Sequence, residues 1–424
     1  MSDRQEGQPL AAAWEHDVPR QHDMPREHDA AREHDAARRK FLRQVGGVTA
    51  GLAAGELLSP FGLWAPVVDG SWRAQRGGAV GAPAAWGAER AVDGPAAGDE
   101  KVAFFLIGDT HYLADKQAPS KMDERSMEVT GRLIETLNRL PGESIPETAG
   151  GGQVSGTVRG VIHAGDLIDT GDKNGPLAEQ MVRTEWSAFQ ADFGISGRDG
   201  RLKYPVYEVH GNHDSPRSEG VVIDGICQRN RARPNVKLIS DDGLHYSWDW
   251  GPVHFINLGI VVGQVPEVKQ PRRYAPRKSL DFLIRDLREN VKSQQPVVIT
   301  HHIDVARYTG PCVPEDEANK NKEWNPCDVR GYYEALRGIN VVGILYGHTH
   351  VRNVVRWNGE SVKQDSGFSL YNVDNCSHFG DDRQALMYFE ISAREVLVRE
   401  CATTDRWQTH QWTPQTWRRS ITVS

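Results

Sequence analysis

The sequence has little cysteine, and the cysteines are scattered. Five occur among 424 residues, at Cys227, Cys312, Cys327, Cys376 and Cys401. None belongs to a CxxC pair, which excludes a zinc ribbon, and so few cannot frame a disulfide-rich miniprotein. Long apolar runs are also missing, because outside one segment near the N terminus nothing approaches the roughly 18 apolar residues that cross a bilayer. We therefore expect no transmembrane helix in the mature protein.

An excess of positive charge is missing as well. The chain carries 50 Lys and Arg against 57 Asp and Glu, a formal net charge of -7. An acidic chain is a poor electrostatic partner for nucleic-acid phosphates or anionic membranes. We expect no nucleic-acid binding.

Apolar residues are scarce in the first 37 positions. Four hexapeptides repeat there, EHDVPR, QHDMPR, EHDAAR and EHDAAR. A segment with so little to bury predicts a disordered tail over residues 1–37. Its His-Asp pairs offer only loose metal contacts, since ordering a flexible tail costs conformational entropy.

An arginine pair opens the next segment. Arg38 and Arg39 precede a Phe-Leu pair and a Gly/Ala-rich apolar stretch, an order typical of a twin-arginine export signal. We predict this signal over residues 38–66 and a Gly/Ala/Pro-rich linker over residues 67–99. The signal implies the twin-arginine export machinery as a partner and a periplasmic or extracellular location. The alternative is a cytoplasmic protein in which the arginines begin an Ala-rich helix.

Strand-length apolar runs alternate with helical patterns over residues 100–400. Runs such as VAFFLIG, PVVITHH and INVVGILYG are apolar at nearly every position. They predict strands buried on both faces, in an α/β protein with a largely parallel or mixed sheet. HYSWDWGPVHFINL predicts an antiparallel hairpin. After His350 the pattern is mostly strands, which predicts a second, antiparallel-rich sheet, and residues 401–424 are expected to form a C-terminal tail.

Five of the predicted strands end in residue types that bind metal ions. The motifs are, in chain order, GDTH, GDLID, GNHD, THH and GHTH. In open α/β sheets ligands bind at the carboxyl ends of the strands, so we expect all five motifs at one cleft. Residues i and i+2 of an extended segment point the same way, which pairs Asp109 with His111 and His348 with His350.

The donor types of these motifs suit a pair of metal ions. Asp, His and Asn ligands without a thiolate favour two first-row divalent ions such as Mn, Fe, Zn or Ni, with one carboxylate bridging them. Two such ions about 3.5 to 4 Å apart can hold a phosphate and lower the pKa of a bound water. The predicted chemistry is hydrolysis of a small phosphate ester by hydroxide that bridges the ions.

In this order the five motifs resemble the signature of the calcineurin-like metallophosphoesterase superfamily. The resemblance implies a four-layer sandwich of two mixed β-sheets flanked by helices, with a dimetal centre at the strand ends. The implied metal ligands are Asp109, His111 and His350 for one ion, Asn212, His301 and His348 for the other, and Asp166 as the bridge.

The resemblance also assigns two catalytic roles. His213 of GNHD would protonate the leaving oxygen or steady the transition-state phosphate, and Asp169 of GDLID would orient His213. His301 comes first after its strand and is the predicted ligand, with the adjacent His302 as the alternative.

Departures from two branches of this superfamily favour a third. Thr170 and Asp214 stand where the protein Ser/Thr phosphatases have an arginine and a glutamate. Asp169 stands where purple acid phosphatases have an iron-binding tyrosine. What remains resembles the branch of bacterial cyclic-nucleotide and glycerophosphodiester phosphodiesterases, so phosphodiesterase activity is favoured. The alternatives are a phosphomonoesterase and a non-catalytic metal-binding protein of the cell envelope.

Two further segments are expected to shape the substrate pocket. Residues 215–235 carry four arginines, which could contact a substrate phosphate or, as charge runs usually do, form a solvated face: Arg217, Arg229, Arg231 and Arg233. Residues 304–328 contain Cys312 and Cys327, which an exported protein could join in a disulfide that stabilises it by roughly 3 kcal/mol. Three histidines within strand runs are expected in the core: His163, His210 and His254. The place of His378 relative to the cleft stays open.

Overall fold

The computed structural model describes residues 100–363, 365–378 and 380–421. The tail, export signal and linker predicted over residues 1–37, 38–66 and 67–99 lie outside these residues. In the described part of the chain no helix is long and apolar enough to span a bilayer.

Strands and helices alternate up to about residue 346 and only strands follow. The strands are β1 (Val102–Ile107), β2 (Val161–His163), β3 (Val206–Glu208), β4 (Val236–Ile239), β5 (Tyr246–Trp250), β6 (Val253–Asn257), β7 (Val297–Thr300), β8 (Val341–Tyr346), β9 (Asn353–Trp357), β10 (Val362–Lys363), β11 (Phe368–Asn372), β12 (Gln384–Ile391), β13 (Glu395–Thr403) and β14 (Gln411–Ser420). The α-helices are α1 (Glu124–Arg139), α2 (Pro176–Asp192), α3 (Val221–Ala232), α4 (Ser279–Glu289) and α5 (Pro326–Leu336). Short 3₁₀ helices span Glu147–Ala149, Ala306–Tyr308 and Glu317–Asn321.

The first sheet has six strands in the order β14-β13-β12-β1-β2-β3. Strands β1, β2 and β3 run parallel, and α1 and α2 connect them, as crossovers between parallel strands require. Strand β12 joins β1 in antiparallel fashion, and β13 and β14 continue the sheet as an antiparallel meander. This sheet is therefore mixed.

The second sheet has eight strands in the order β10-β9-β11-β8-β7-β6-β5-β4. Strands β6, β7, β8 and β11 run parallel, with α4 and α5 as the first two crossovers. Strands β5 and β6 form the predicted hairpin around Gly251 and Pro252. The second sheet is mixed, because the strands on either side of its parallel centre pair in antiparallel fashion. The strands after His350 do not form a sheet of their own, since β9, β10 and β11 join this sheet and β12, β13 and β14 join the first.

An aromatic core joins the two sheets. Phe104 of β1 stacks on Phe389 of β12 at 4.8 Å between ring centroids and meets Phe255 of β6 edge-on at 5.5 Å. Tyr371 of β11 contacts Phe389 at 5.1 Å. The sheets therefore pack face to face, and the predicted α/β fold of two mixed β-sheets flanked by helices is confirmed.

The C-terminal residues differ from the predicted tail. Strand β13 continues to Thr403, and Gln411–Ser420 form β14 at the edge of the first sheet. Trp412 is buried there, and its Nε1 donates to Glu143 at 3.0 Å. Pro414 obscured this strand in the sequence, but an edge strand tolerates proline because one side needs no ladder hydrogen bonds.

Candidate metal centre

The five motifs follow parallel strands from both sheets. GDTH, GDLID and GNHD follow β1, β2 and β3 of the first sheet, and THH and GHTH follow β7 and β8 of the second. The sheets meet at these ends, since the backbone N–H of His348 donates to Asp109 Oδ1 at 2.9 Å. The structure thus brings the motifs to one cleft.

One cluster contains Asp109, His111 and His350, with a ligand atom of each within 4.8 Å of the others. His111 Nε2 lies 3.0 Å from His350 Nε2, and His350 Nε2 lies 3.6 Å from Asp109 Oδ1. When both imidazole rings are neutral, two nitrogens at this distance can hold only one proton between them. Together with a buried carboxylate they form a donor set that suits a divalent cation.

A second cluster contains Asp166, His302 and His348. Asp166 Oδ2 lies 3.1 Å from His302 Nε2 and 3.7 Å from His111 Nε2, so this carboxylate lies between the two clusters. Asn212 joins the second cluster, with Oδ1 3.2 Å from His302 Nε2. The arrangement fits two ions that share Asp166.

His302, and not His301, faces the centre, which corrects the predicted ligand. His301 is buried, and its ring meets those of Trp324 at 5.0 Å and Tyr332 at 5.6 Å. His302 Nδ1 donates to the carbonyl of Ala164 at 2.8 Å, which turns Nε2 towards Asp166. The neighbouring residues at the end of β7 point to opposite sides, so only one can reach the cleft.

The backbone at the centre is strained. Five residues with proposed ligand side chains have positive φ angles: Asp109 (54°), His111 (44°), Asp166 (53°), His348 (77°) and His350 (52°). Each such conformation costs on the order of 1–3 kcal/mol and concentrates at functional sites. The i and i+2 pairs therefore lie in tight left-handed loops, not in the extended segments that the sequence suggested.

Two glycines make room for the carboxylates. A Cβ atom at Gly211 would lie 2.2 Å from Asp166 Oδ1, and one at Gly347 would lie 2.3 Å from Asp109 Oδ2. Both distances are far below van der Waals contact, so only glycine allows these approaches.

His213 lies at the edge of the centre, partly exposed. Its Nδ1 donates to the backbone carbonyl of Asp169 at 3.0 Å, and its ring lies 4.8 Å from that of His111. The Asp169 carboxylate contacts His111 Nδ1 at 3.3 Å and Lys173 Nζ at 2.8 Å instead. The predicted role of Asp169 is thus corrected, because its carbonyl holds His213 while its carboxylate orients His111.

Three side chains that the sequence did not single out as ligands or partners contact the proposed ligands. Glu323 Oε1 lies 3.2 Å from His348 Nε2. Asp381 Oδ2 lies 3.0 Å from His350 Nδ1 and 2.9 Å from His378 Nδ1. The ring of His378 lies 5.0 Å from the ring of His350. These three residues lie in irregular loops, where no periodicity could have indicated them. His378, whose place was open, therefore borders the cleft.

Burial and close partners set the charges of the centre. Burial raises the pKa of Asp109 to about 8. Burial acts on Asp166 in the same direction, but His302 and His111 outweigh it and hold the pKa of Asp166 well below its usual range. Burial favours neutral His302, yet Asp166 raises the pKa of His302 to about 9. A divalent cation would stabilise the charged carboxylates of Asp109 and Asp166, since buried charges need a partner of opposite sign.

The four arginines of residues 215–235, for which phosphate contact and a solvated face were both open, contact groups of the protein itself. Arg229 Nε lies 2.6 Å from Glu208 Oε1, and Arg233 pairs with the same buried carboxylate. Arg217 and Arg231 donate to backbone carbonyls. The segment stabilises the fold beside β3.

The other two sequence expectations concern the core histidines and the cysteine pair. His163, His210 and His254 are buried with hydrogen-bond partners. Cys312 and Cys327 form a disulfide, which closes the loop that carries Glu323.

Residues 102–352 match the family model of the calcineurin-like phosphoesterases. Similar solved structures include a dimetal phosphatase from Danio rerio, with 14% identity over 76% of this chain and 99% of that chain and a TM-score of 0.43. GAP50, the anchor in the inner membrane complex of Plasmodium, has 11% identity over 76% of this chain and 89% of that chain and a TM-score of 0.40. Vacuolar Protein Sorting 29 from Cryptosporidium parvum has 12% identity over 76% of this chain and 100% of that chain, with a TM-score of 0.30. No curated protein matches the sequence.

Proposed function

Because the chain belongs to the calcineurin-like phosphoesterase family, and is therefore a metal-dependent phosphoesterase, we propose that it hydrolyses phosphodiesters at the centre described above. The observation that carries this proposal is the pair of clusters joined by Asp166. Phosphomonoesterase activity at the same site is the alternative.

The proposed ligands divide between two ions. Asp109, His111 and His350 would hold one ion, Asn212, His302 and His348 the other, and Asp166 would bridge them. The donor set is compatible with Mn, Fe, Zn or Ni. Two such ions would hold a phosphate and would lower the pKa of a bound water, so that hydroxide would be available near neutral pH.

His213 is the proposed general acid. Its Nδ1 is held by the Asp169 carbonyl, and its backbone N–H donates to Asp166 Oδ1 at 2.8 Å. The Nδ1 bond orients the ring, and the backbone bond holds the residue beside Asp166. Burial favours the neutral ring, but Asp166 and the Asp169 carbonyl outweigh burial and raise the pKa of His213. The protonated ring then carries a proton on Nε2 that it can donate to the leaving oxygen. Help of this kind accelerates a reaction by roughly 10² to 10⁴.

The charge around the cleft supports a diester. Asp169, Asp172, Glu323 and Asp381 flank the proposed ligands or His213. A diester carries one negative charge where a monoester carries up to two, so it meets less repulsion from these carboxylates.

Asp214 stands where the protein phosphatases have a glutamate. Its carboxylate accepts hydrogen bonds from the backbone N–H groups of Leu167, Ile168 and Gly211 and so holds two of the motif loops together.

The test is metal analysis of the purified protein followed by assays on bis(4-nitrophenyl) phosphate and 4-nitrophenyl phosphate. We expect two ions per chain and a higher kcat/KM for the diester. Asp166→Asn should abolish both activities. Metal-replete protein that hydrolyses neither ester would contradict the proposed enzyme, and a preference for the monoester would favour the alternative.

We also propose that the protein is exported through the twin-arginine pathway. Arg38 and Arg39 motivate this, and the Cys312–Cys327 disulfide supports it, since disulfides persist mainly in oxidising compartments. Replacing both arginines with lysine should retain the protein in the cytoplasm. Unchanged secretion of that variant, measured by cell fractionation, would rule the signal out.

A further inference from the structure

Two carboxylates from outside the five motifs hold histidines of the proposed metal centre. Asp381 Oδ2 lies 3.0 Å from His350 Nδ1, in the first cluster. Glu323 Oε1 lies 3.2 Å from His348 Nε2, in the second. Asp381 lies between β11 and β12, and Glu323 lies between β7 and α5. Each cluster therefore has one such outer carboxylate, and the two come from different loops.

These carboxylates determine which ring nitrogen can bind an ion. An ionised carboxylate only accepts hydrogen bonds, so the histidine nitrogen beside it must carry the proton. The other nitrogen of a neutral ring then keeps its lone pair for a metal ion. His350 is left with Nε2, which lies 3.0 Å from Nε2 of the neighbouring ligand His111. His348 is left with Nδ1.

Neither carboxylate belongs to the ligand atoms that make up the two clusters. Asp381 does form a further group with His350 and His378, whose ligand atoms lie within 4.8 Å of one another. An ion in that group would have to remove the Nδ1 proton of His350 while Nε2 binds the first ion, whereas the hydrogen bond leaves the ring neutral. Both carboxylates are therefore placed to act through a histidine and not on an ion.

Glu323 is held in place from its other side. Tyr308 donates to Glu323 Oε2, and Arg307 Nη2 contacts the same oxygen at 3.4 Å. The next residue, Trp324, is buried, and its Nε1 donates to the carbonyl of Val262 at 2.9 Å. The carboxylate is thus fixed before any ion is bound.

Asp381 is held in a similar way. His378 Nδ1 lies 2.9 Å from the Oδ2 that contacts His350, and the backbone carbonyl of Asp381 accepts from Gln384 Nε2 at 2.7 Å. Gln384 is buried at the start of β12. Asp381 lies beyond residues 102–352, the part that matches the family model.

We propose that Glu323 and Asp381 are positioning residues that each raise the affinity for one of the two ions, Glu323 through His348 and Asp381 through His350. The inference rests on the proposed function, because that function supplies the two ions. A carboxylate that holds a ligating histidine fixes the orientation of the ring and raises its basicity. Since the two carboxylates hold different histidines, losing one or the other should affect different ions.

The test measures Zn²⁺ binding to the metal-free protein in competition with a chelator. Glu323→Ala and Asp381→Ala should each weaken the binding of one ion about 10- to 100-fold and that of the other ion much less. Glu315→Ala and Asp382→Ala are the matched controls. Glu315 is exposed in the loop of Glu323, Asp382 is exposed beside Asp381, and among the described residues neither contacts a proposed ligand. Both controls should bind two ions as the unsubstituted protein does.

Conservative variants distinguish positioning from packing. Glu323→Gln and Asp381→Asn keep an oxygen that accepts a hydrogen bond, so they should restore most of the affinity that the alanine variants lose. A role in packing alone predicts a lower melting temperature of the metal-free protein and no recovery of one particular ion. That result would overturn the inference.

Double substitutions assign each carboxylate to its ion. In His348→Ala protein, which should retain the first ion alone, adding Glu323→Ala should have no further effect, and adding Asp381→Ala should weaken the remaining ion. In His350→Ala protein the two effects should be exchanged, because a residue that acts through a histidine has no effect once that histidine is removed. Equal effects of both carboxylates in both proteins would contradict the assignment.

The outcomes separate this inference from the proposed function. Two ions bound with unchanged affinity in Glu323→Ala and in Asp381→Ala would overturn the inference alone. A third Zn²⁺ that the unsubstituted protein binds and Asp381→Ala loses would make Asp381 a ligand and overturn its positioning role. Two ions with the expected losses, but no hydrolysis of any ester, would overturn the proposed function and leave the inference standing. Protein that binds no metal would overturn both.

Discussion

His301 and His302 are neighbours in the chain, yet their rings lie in different surroundings. His302 Nε2 lies 3.1 Å from Asp166, whereas His301 is packed among aromatic rings. Burial lowers the pKa of His301 to about 3, so this ring is neutral in the core. One histidine therefore belongs to the proposed metal centre and the other to the hydrophobic packing beneath it.

Substituting each histidine should separate these roles. His302→Ala should lower the metal content and reduce kcat/KM by about 10²-fold or more. Losing even a residue that only hydrogen-bonds a metal ligand typically costs about 10- to 100-fold in metal affinity or activity. His301→Ala should retain both ions and lower the melting temperature. Elemental analysis and thermal unfolding of both variants check this, and metal loss confined to His301→Ala would reverse the assignment.

Gly211 offers a second test. The Cβ of Gly211→Ala would collide with Asp166 Oδ1, so we expect loss of metal binding and a destabilisation of about 1–3 kcal/mol, as for other overpacked sites. Gly156→Ala is the control, because no atom lies within 4 Å of the Cβ it would add. Equal metal content in Gly211→Ala and Gly156→Ala would show that the carboxylate can move aside.

The loop between β7 and α5 links the disulfide to the centre. Cys312 and Cys327 are 15 positions apart, and Glu323 between them contacts His348, Tyr308 and Arg307. The loop has little regular structure, so the disulfide and these contacts hold Glu323 beside His348.

Removing the disulfide should therefore destabilise the protein. The double substitution Cys312→Ser and Cys327→Ser should lower the free energy of unfolding by about 3 kcal/mol, the chain-entropy value for a loop of this length. Denaturant unfolding measures this. Dithiothreitol should lower the stability of the unsubstituted protein by a similar amount and leave the double variant unaffected, and an unsubstituted protein insensitive to dithiothreitol would contradict the expectation.

The elements that the sequence predicted well are those with strong local patterns. Apolar runs such as VAFFLIG indicated the central strands, and the glycine-flanked motifs indicated most of the proposed ligands. The choice between His301 and His302 depends on how β7 ends, which spacing does not encode. Glu323 and Asp381 reach the centre through irregular loops, which carry no periodic signal in the sequence. Strand β14 contains Pro414, which masks its strand pattern.

Buried charge also makes the stability of the whole protein depend on pH. His254 of β6 lies between Asp286 of α4, at 2.8 Å, and Asp249 of β5, which also pairs with Lys237. Burial alone would lower the pKa of His254, but its bonds to Asp249 and Asp286 outweigh burial and raise it. Protonated His254 thus holds α4 against the second sheet.

The raised pKa fixes the direction of the pH dependence. The stabilisation by protonated His254 is fully present below the pKa of a histidine in the unfolded chain, about 6.5. It is lost as the pH rises through the higher pKa of His254 in the folded protein. His254→Gln should therefore cost more unfolding free energy at pH 6 than at pH 9. Urea unfolding at both pH values measures this difference, and an equal cost at the two would mean that His254 stays neutral in the folded protein.

The division of the centre between two sheets constrains the order of folding. Asp109 and His348 contact each other although 239 positions separate them. Contacts so distant in sequence form late, because closing the intervening chain costs entropy before any contact repays it. A growing chain that ends before β7 carries Asp109, His111, Asp166 and Asn212 without the histidines of the second sheet, so it can offer only part of each ligand set. Capture of both ions would then mark the completion of folding.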